Sequence, residues 1–105
     1  MIGCDFLGLN ELVYKNHEAH RDSGYLYCLI SIVLNIENKK IILEGKTDLS
    51  SLKKAFKVFD RTNVIRILDR LAVKKLVQYQ LAQARGNESV FIIISPLVAE
   101  YFFQK

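Results

Sequence analysis

LSSLKKAFKVFDRTNVIRILDRLAVKKLV, residues 49–77, is the stretch on which the fold turns. Asp48 is placed to cap a helix over Leu49–Lys57, in which Leu49, Leu52, Ala55 and Phe56 share one face. Val58 and Phe59 form a turn, and Asp60 caps a second helix over Arg61–Lys74. The apolar stripe of that helix, Val64, Ile67, Leu68 and Leu71, follows the i, i+3, i+4, i+7 spacing of a buried helical face. The same stretch concentrates the charge. Residues 53–75 hold eight basic side chains (Lys53, Lys54, Lys57, Arg61, Arg66, Arg70, Lys74, Lys75) against two acids, Asp60 and Asp69. Residues 1–52 hold five basic and seven acidic side chains, and residues 76–105 hold two of each, so the net charge of +4 is one patch.

Upstream, the pattern predicts a helix over Leu9–His20, started at Gly8 or Asn10, and a turn at Arg21-Asp22-Ser23-Gly24. Tyr25–Glu37 reads as a second helix, apolar almost all round and so buried on several sides, ended by Asn38-Lys39-Lys40. Ile41-Ile42-Leu43 reads as a short strand. Downstream, Leu76–Ala82 alternates as a strand, Arg85-Gly86-Asn87-Glu88 is a hairpin tip, and Ser89–Ile94 is the return strand. Ser95-Pro96 opens a last helix running to residue 105. The expectation is a single α+β domain over 1–105, mainly α: a helix-turn-helix at 48–74, a hairpin at 76–94, and extra N- and C-terminal helices, the latter over 96–105.

Half of the 105 residues are hydrophobic, more apolar material than a small monomer easily hides, which points to a homodimer interface. One Pro and five Gly argue against a long linker. The start, MIGCDF, has no basic segment followed by a long apolar one. The longest apolar stretch, Tyr25–Ile36, is about half of the roughly 20 residues that a membrane span needs. Cys4 and Cys28 have no motif spacing and read as reduced thiols, so the expected location is cytoplasmic. His17 and His20, near Glu18 and Cys4 in sequence, could begin a zinc site, but no CxxC or further His completes it. No metal or other cofactor is expected. Without a Gly-rich phosphate loop or a nucleophile elbow, the chain does not read as an enzyme.

The order helix, helix, short strand, helix, turn, helix, hairpin, helix, with Thr62–Leu71 followed by Leu76-Val77, resembles a winged helix-turn-helix domain. The resemblance spans residues 41–94 closely and the flanks loosely. It departs at the turn, where Lys57-Val58-Phe59 stands in place of a common Gly, and at Lys75, where many members have Gly before the first wing strand. Within that superfamily, the layout and hydrophobic rhythm are similar to the TubR centromere-binding adaptors of tubulin-like plasmid and phage partition systems. MarR-like and ArsR-like transcriptional repressors share the core. The resemblance implies a homodimer that binds repeated sites on double-stranded DNA, as a partition adaptor, an autorepressor or both. A tubulin-like GTPase filament would then be a protein partner.

With the apolar stripe turned inward, Thr62, Arg66 and Asp69 face outward, flanked by Asn63 and Arg70. In a winged helix that face enters the major groove. Arg66 suits guanine, Asn63 adenine, and Thr62 a phosphate or a thymine methyl. Lys53, Lys54, Lys57 and Arg70 suit phosphates, with Arg61 and Lys74 in the same basic set. Arg85 at the hairpin tip suits the minor groove. Arg66 and Arg70, spaced i, i+4, repel one another, and a phosphate would relieve the repulsion. Phe59 and Ile65 read as packing. So do Tyr25, Tyr27, Tyr101, Phe102 and Phe103, which are segregated from the basic residues, unlike the interleaved aromatics of a single-strand binder. The rival reading is a winged-helix adaptor that binds protein and no DNA.

Overall fold

The computed structural model describes residues 2–16, 20–84 and 87–104. In chain order they form β1 (Ile2–Cys4), α1 (Phe6–Asn16), α2 (His20–Val33), β2 (Leu34–Glu37), β3 (Lys40–Asp48), α3 (Leu49–Phe56), α4 (Arg61–Val73), β4 (Val77–Ala84), β5 (Asn87–Ile94), α5 (Pro96–Ala99) and β6 (Phe102–Gln104). A four-stranded antiparallel sheet runs in the order β2-β3-β5-β4, and β1 pairs with β6 in a separate two-stranded ribbon.

Local chemistry fixes the ends of α3 and α4. The Asp48 carboxylate accepts the Ser51 N–H at 2.6 Å and so caps α3. Asp60 occupies the corresponding position of α4, but its side chain makes no capping bond. Both helices close on a lysine in the left-handed region, Lys57 at φ 58° and Lys75 at φ 61°. At the first, Lys57 N–H donates to Lys54 O (3.3 Å) and Val58 N–H to Lys53 O (3.0 Å). At the second, Lys75 N–H donates to Ala72 O (2.9 Å) and Leu76 N–H to Leu71 O (3.1 Å). This paired pattern is the Schellman motif, in which Gly is the usual left-handed residue. Lys57 and Lys75 thus take the backbone conformation that Gly adopts most readily, as Asn38 and Lys39 also do.

The inner face of the sheet carries Leu43, Val77, Val90, Ile92 and Ile94. These pack with Leu26 and Leu29 of α2, Leu49, Leu52 and Phe56 of α3, and Val64, Ile67, Leu68 and Leu71 of α4 in one core. Each fully buried aliphatic side chain in this cluster contributes about 1.5–3 kcal/mol relative to exposure. The core holds α4 with one side on the sheet and the other in solvent.

The expectation of a mainly α domain is corrected by the strands. The helix over Tyr25–Glu37 stops at Val33, and Leu34–Glu37 is β2, paired from Leu34↔Leu43 to Glu37↔Lys40. Asn38 and Lys39, at φ 51° and 65°, make the two-residue turn between them. Two successive positive φ values match the twist of a hairpin, and Asn tolerates them. The strand at 41–43 is part of the longer β3, whose second half pairs with β5 from Glu44↔Ile93 to Asp48↔Ser89. The turn placed at 21–24 is helical, since α2 begins at His20. The C-terminal helix expected over 96–105 is the single turn α5, with Ser95 as its cap (Leu97 N–H to Ser95 Oγ, 3.2 Å). Phe102 and Phe103 then enter β6, a conformation that aromatic residues favour, opposite Cys4 and Gly3 of β1. Asp5 N–H donates to Tyr101 O (2.8 Å) beside this ribbon, tying the two ends of the described chain.

Candidate nucleic-acid interface

The buried stripe of α4 turns its opposite side outward. Thr62, Arg66, Arg70 and Val73 are exposed there, and Asn63, Ile65 and Lys74 are half-buried. Between them lies an open groove of about 560 Å³, with Ile65 and Val73 supplying apolar surface among Arg61, Thr62, Arg66 and Arg70. Arg66 makes no hydrogen bond or ion pair among the described residues, so its guanidinium fork is available to a planar acceptor. Burial draws the Lys74 ammonium below its ordinary pKa.

Two contacts join α4 to the β4–β5 hairpin. The Arg61 guanidinium donates twice to Glu88 at the start of β5, through Nε to Oε2 at 2.7 Å and Nη2 to Oε1 at 2.8 Å. These hydrogen bonds, with the charge of the opposite partner, raise Arg61 and hold the Glu88 carboxyl below its usual range. The charge of Lys53 on α3 also lowers Glu88. About two turns further along α4, Asp69 accepts the hydroxyl of Tyr79 from β4. That bond and the partial burial of the ring push the Tyr79 pKa up to about 12. Arg61, assigned from sequence to the basic set, thus already holds a carboxylate, and Asp69 on the outward face holds the hairpin.

On α3, Lys54 is exposed and Lys53 is half-buried, and Lys57 at the C-cap is exposed. With Ser50, Val58 and Phe59 they line a second groove of about 410 Å³. Phe59 corrects the sequence reading: its side chain is 93% exposed and packs against no core, whereas its neighbour Val58 packs on the core. Ile65 does pack on the core from a half-buried position. Tyr25 packs edge-on against Phe56 at 5.2 Å. Tyr27 packs edge-on against Phe6 at 5.6 Å and donates to Asn10 Oδ1 at 2.6 Å. Both are packing residues rather than stacking platforms.

Of the sequence-derived candidates, Lys53, Lys54, Lys57, Arg61, Thr62, Asn63, Arg66, Arg70 and Lys74 all sit on α3, α4 or their C-terminal caps. Arg85 lies outside the described residues, as do His17 and Glu18 of the metal candidate. Among the described residues, no three His, Cys, Asp or Glu side chains come together as a metal site. No helix among them is long and apolar enough to cross a membrane. Comparison with protein-family models, with curated proteins and with solved structures finds no match to this chain.

What the arrangement offers chemically is a row of donors on one helix face, two of them guanidinium groups, beside a lysine-lined helix and a hairpin held at fixed distance. Clustered cations and exposed donors of this kind raise the local concentration of anionic groups.

Proposed function

We propose that this protein binds double-stranded DNA sequence-specifically as a homodimer, using α3, the turn and α4 as a helix-turn-helix and the β4–β5 hairpin as a wing. The observation that carries this reading is the solvent face of α4, where Thr62, Arg66 and Arg70 stand exposed in one groove with Arg66 unpaired among the described residues. Arg66 reads a guanine edge, Asn63 and Thr62 lie nearer the helix start, and Lys54, Lys57, Arg70 and Lys74 hold phosphates. The biological role we assign is that of a partition adaptor that marks repeated centromere sites, or of a repressor of its own operon. Support for that finer role is the resemblance in layout alone.

The experiment is a binding titration against duplex flanking the protein's own gene and against random duplex, over a salt series. Phosphate contacts from Lys54, Lys57, Arg70 and Lys74 correspond to a log–log salt slope of roughly −3.6 per protomer. Arg66→Ala is expected to cost about 1–3 kcal/mol on the preferred duplex and little on random DNA. An equal loss on both would remove Arg66 from readout. Weak, salt-insensitive binding to both duplexes would replace DNA with an acidic protein partner.

A further inference from the structure

We propose that Phe59 is a base-reading residue whose ring packs on the C5 methyl of a thymine where α4 enters the major groove; the proposal rests on the DNA-binding reading above. A single exposed apolar side chain is ordinary on a protein surface, so exposure alone decides nothing. Three further observations do. First, the backbone presents the ring. The left-handed Lys57 and the Val58 N–H bond to Lys53 O fix the turn, Val58 packs against the core, and the next residue is directed outward. Secondly, Phe59 shares its groove with Lys53, Lys54 and Lys57, and no acidic side chain lines it. Thirdly, the ring directly precedes Asp60, the N-cap residue of α4, and so stands at the end of the helix that carries Thr62 and Arg66.

An apolar ring among lysines fits a ligand that is anionic outside and apolar at intervals within. Duplex DNA has that pattern in the major groove, where phosphates flank the one apolar group on a base edge, the thymine methyl. The lysines take the phosphates and fix the height of the turn, and the ring then covers the methyl. Burying the ring also removes the exposed apolar surface that the free protein carries at this point. The contact releases no counterion, so it adds affinity without adding salt dependence, unlike the lysines around it.

The test uses the full-length protein and its Phe59→Ala variant, with fluorescence anisotropy on the duplex flanking the gene. A matched set of duplexes replaces each thymine in turn by deoxyuridine, which removes only the methyl. The expected result is that one substitution weakens wild-type binding by about fourfold, the effect of burying one methyl group. Phe59→Ala should bind the parent duplex at least that much more weakly, be indifferent to the same deoxyuridine, and keep the wild-type salt slope. Because the side chain is almost fully exposed, the variant should fold as the wild type does, which its melting curve verifies. If Phe59→Ala binds like the wild type while Arg66→Ala loses discrimination, DNA binding stands and this inference is overturned. A loss of equal size on thymine and deoxyuridine duplexes also overturns it, since the ring would then touch something other than the methyl. Failure of the wild type to bind any duplex overturns both readings.

Discussion

Lys57 and Lys75 carry a cost that their neighbours do not. A β-carbon in the left-handed region crowds the following carbonyl and costs roughly 1–2 kcal/mol, which Gly avoids at some expense in chain entropy. Lys75→Gly is therefore expected to raise stability by about 1 kcal/mol, read as a higher urea midpoint at unchanged m-value. A destabilised variant would mean that the Lys75 side chain contributes packing that outweighs the backbone strain. Tyr79 supplies the pH-dependent counterpart. Its phenol is raised from its ordinary value to about 12, chiefly by the hydrogen bond to Asp69. A raised folded-state pKa means that this stabilisation is complete below pH 10 and fades as pH climbs from about 10 through 12. In Asp69→Ala the Tyr79 ring should titrate near its ordinary pKa of about 10. Ring chemical shifts followed by NMR across that range would report it, and an unmoved titration would assign the shift to burial.

At the scale of elements, the hairpin and α4 behave as one unit because Arg61–Glu88 and Asp69–Tyr79 tie them at two points. The first tie occupies a cation on the edge of the proposed interface. Glu88→Gln should free Arg61 for a phosphate and remove a nearby negative charge, tightening binding at low salt and steepening the salt slope by roughly 0.9. An unchanged slope would place Arg61 outside the DNA contact. These ties also mark the limit of what the sequence discloses. The α3 and α4 helices were legible because their apolar residues repeat at helical spacing and Asp48 supplies a capping side chain. The outward face of α4 followed from the same periodicity. The partners of Arg61 and Asp69 did not, since they lie 27 and 10 residues away and meet only after the sheet forms. β2 was hidden because Leu34-Asn35-Ile36-Glu37 continues an apolar run that also fits a helix, and only the Asn38-Lys39 turn distinguishes them. β6 was hidden because a three-residue strand has no period of its own and exists by pairing with β1. Phe59 was misread because residue type suggests burial, while its backbone context directs the ring outward.

The whole molecule adds a constraint that neither residue nor element supplies. The protomer measures 40 × 36 × 20 Å. A dimer that reads successive major grooves on one face of DNA must hold its two α4 helices about 34 Å apart. The elements around the chain ends leave apolar side chains in solvent: Phe6 and Leu7 on α1, Leu97 on α5 and Phe103 on β6. Removing the C-terminal residues is a poor probe of a dimer, because it deletes the partner strand of β1 and the buried Val98 together. Leu7→Asp is cleaner, since Leu7 is 80% exposed and contributes nothing to the core. Sedimentation equilibrium is expected to find a wild-type dimer and a folded Leu7→Asp monomer. Losing the second half-site contact should weaken binding to a repeated site by about 100-fold while leaving single-site binding unchanged. A monomeric wild type would end the two-fold reading. A dimeric Leu7→Asp would move the interface away from α1, toward the solvent edge of β2 or β4, where free backbone groups invite a second copy.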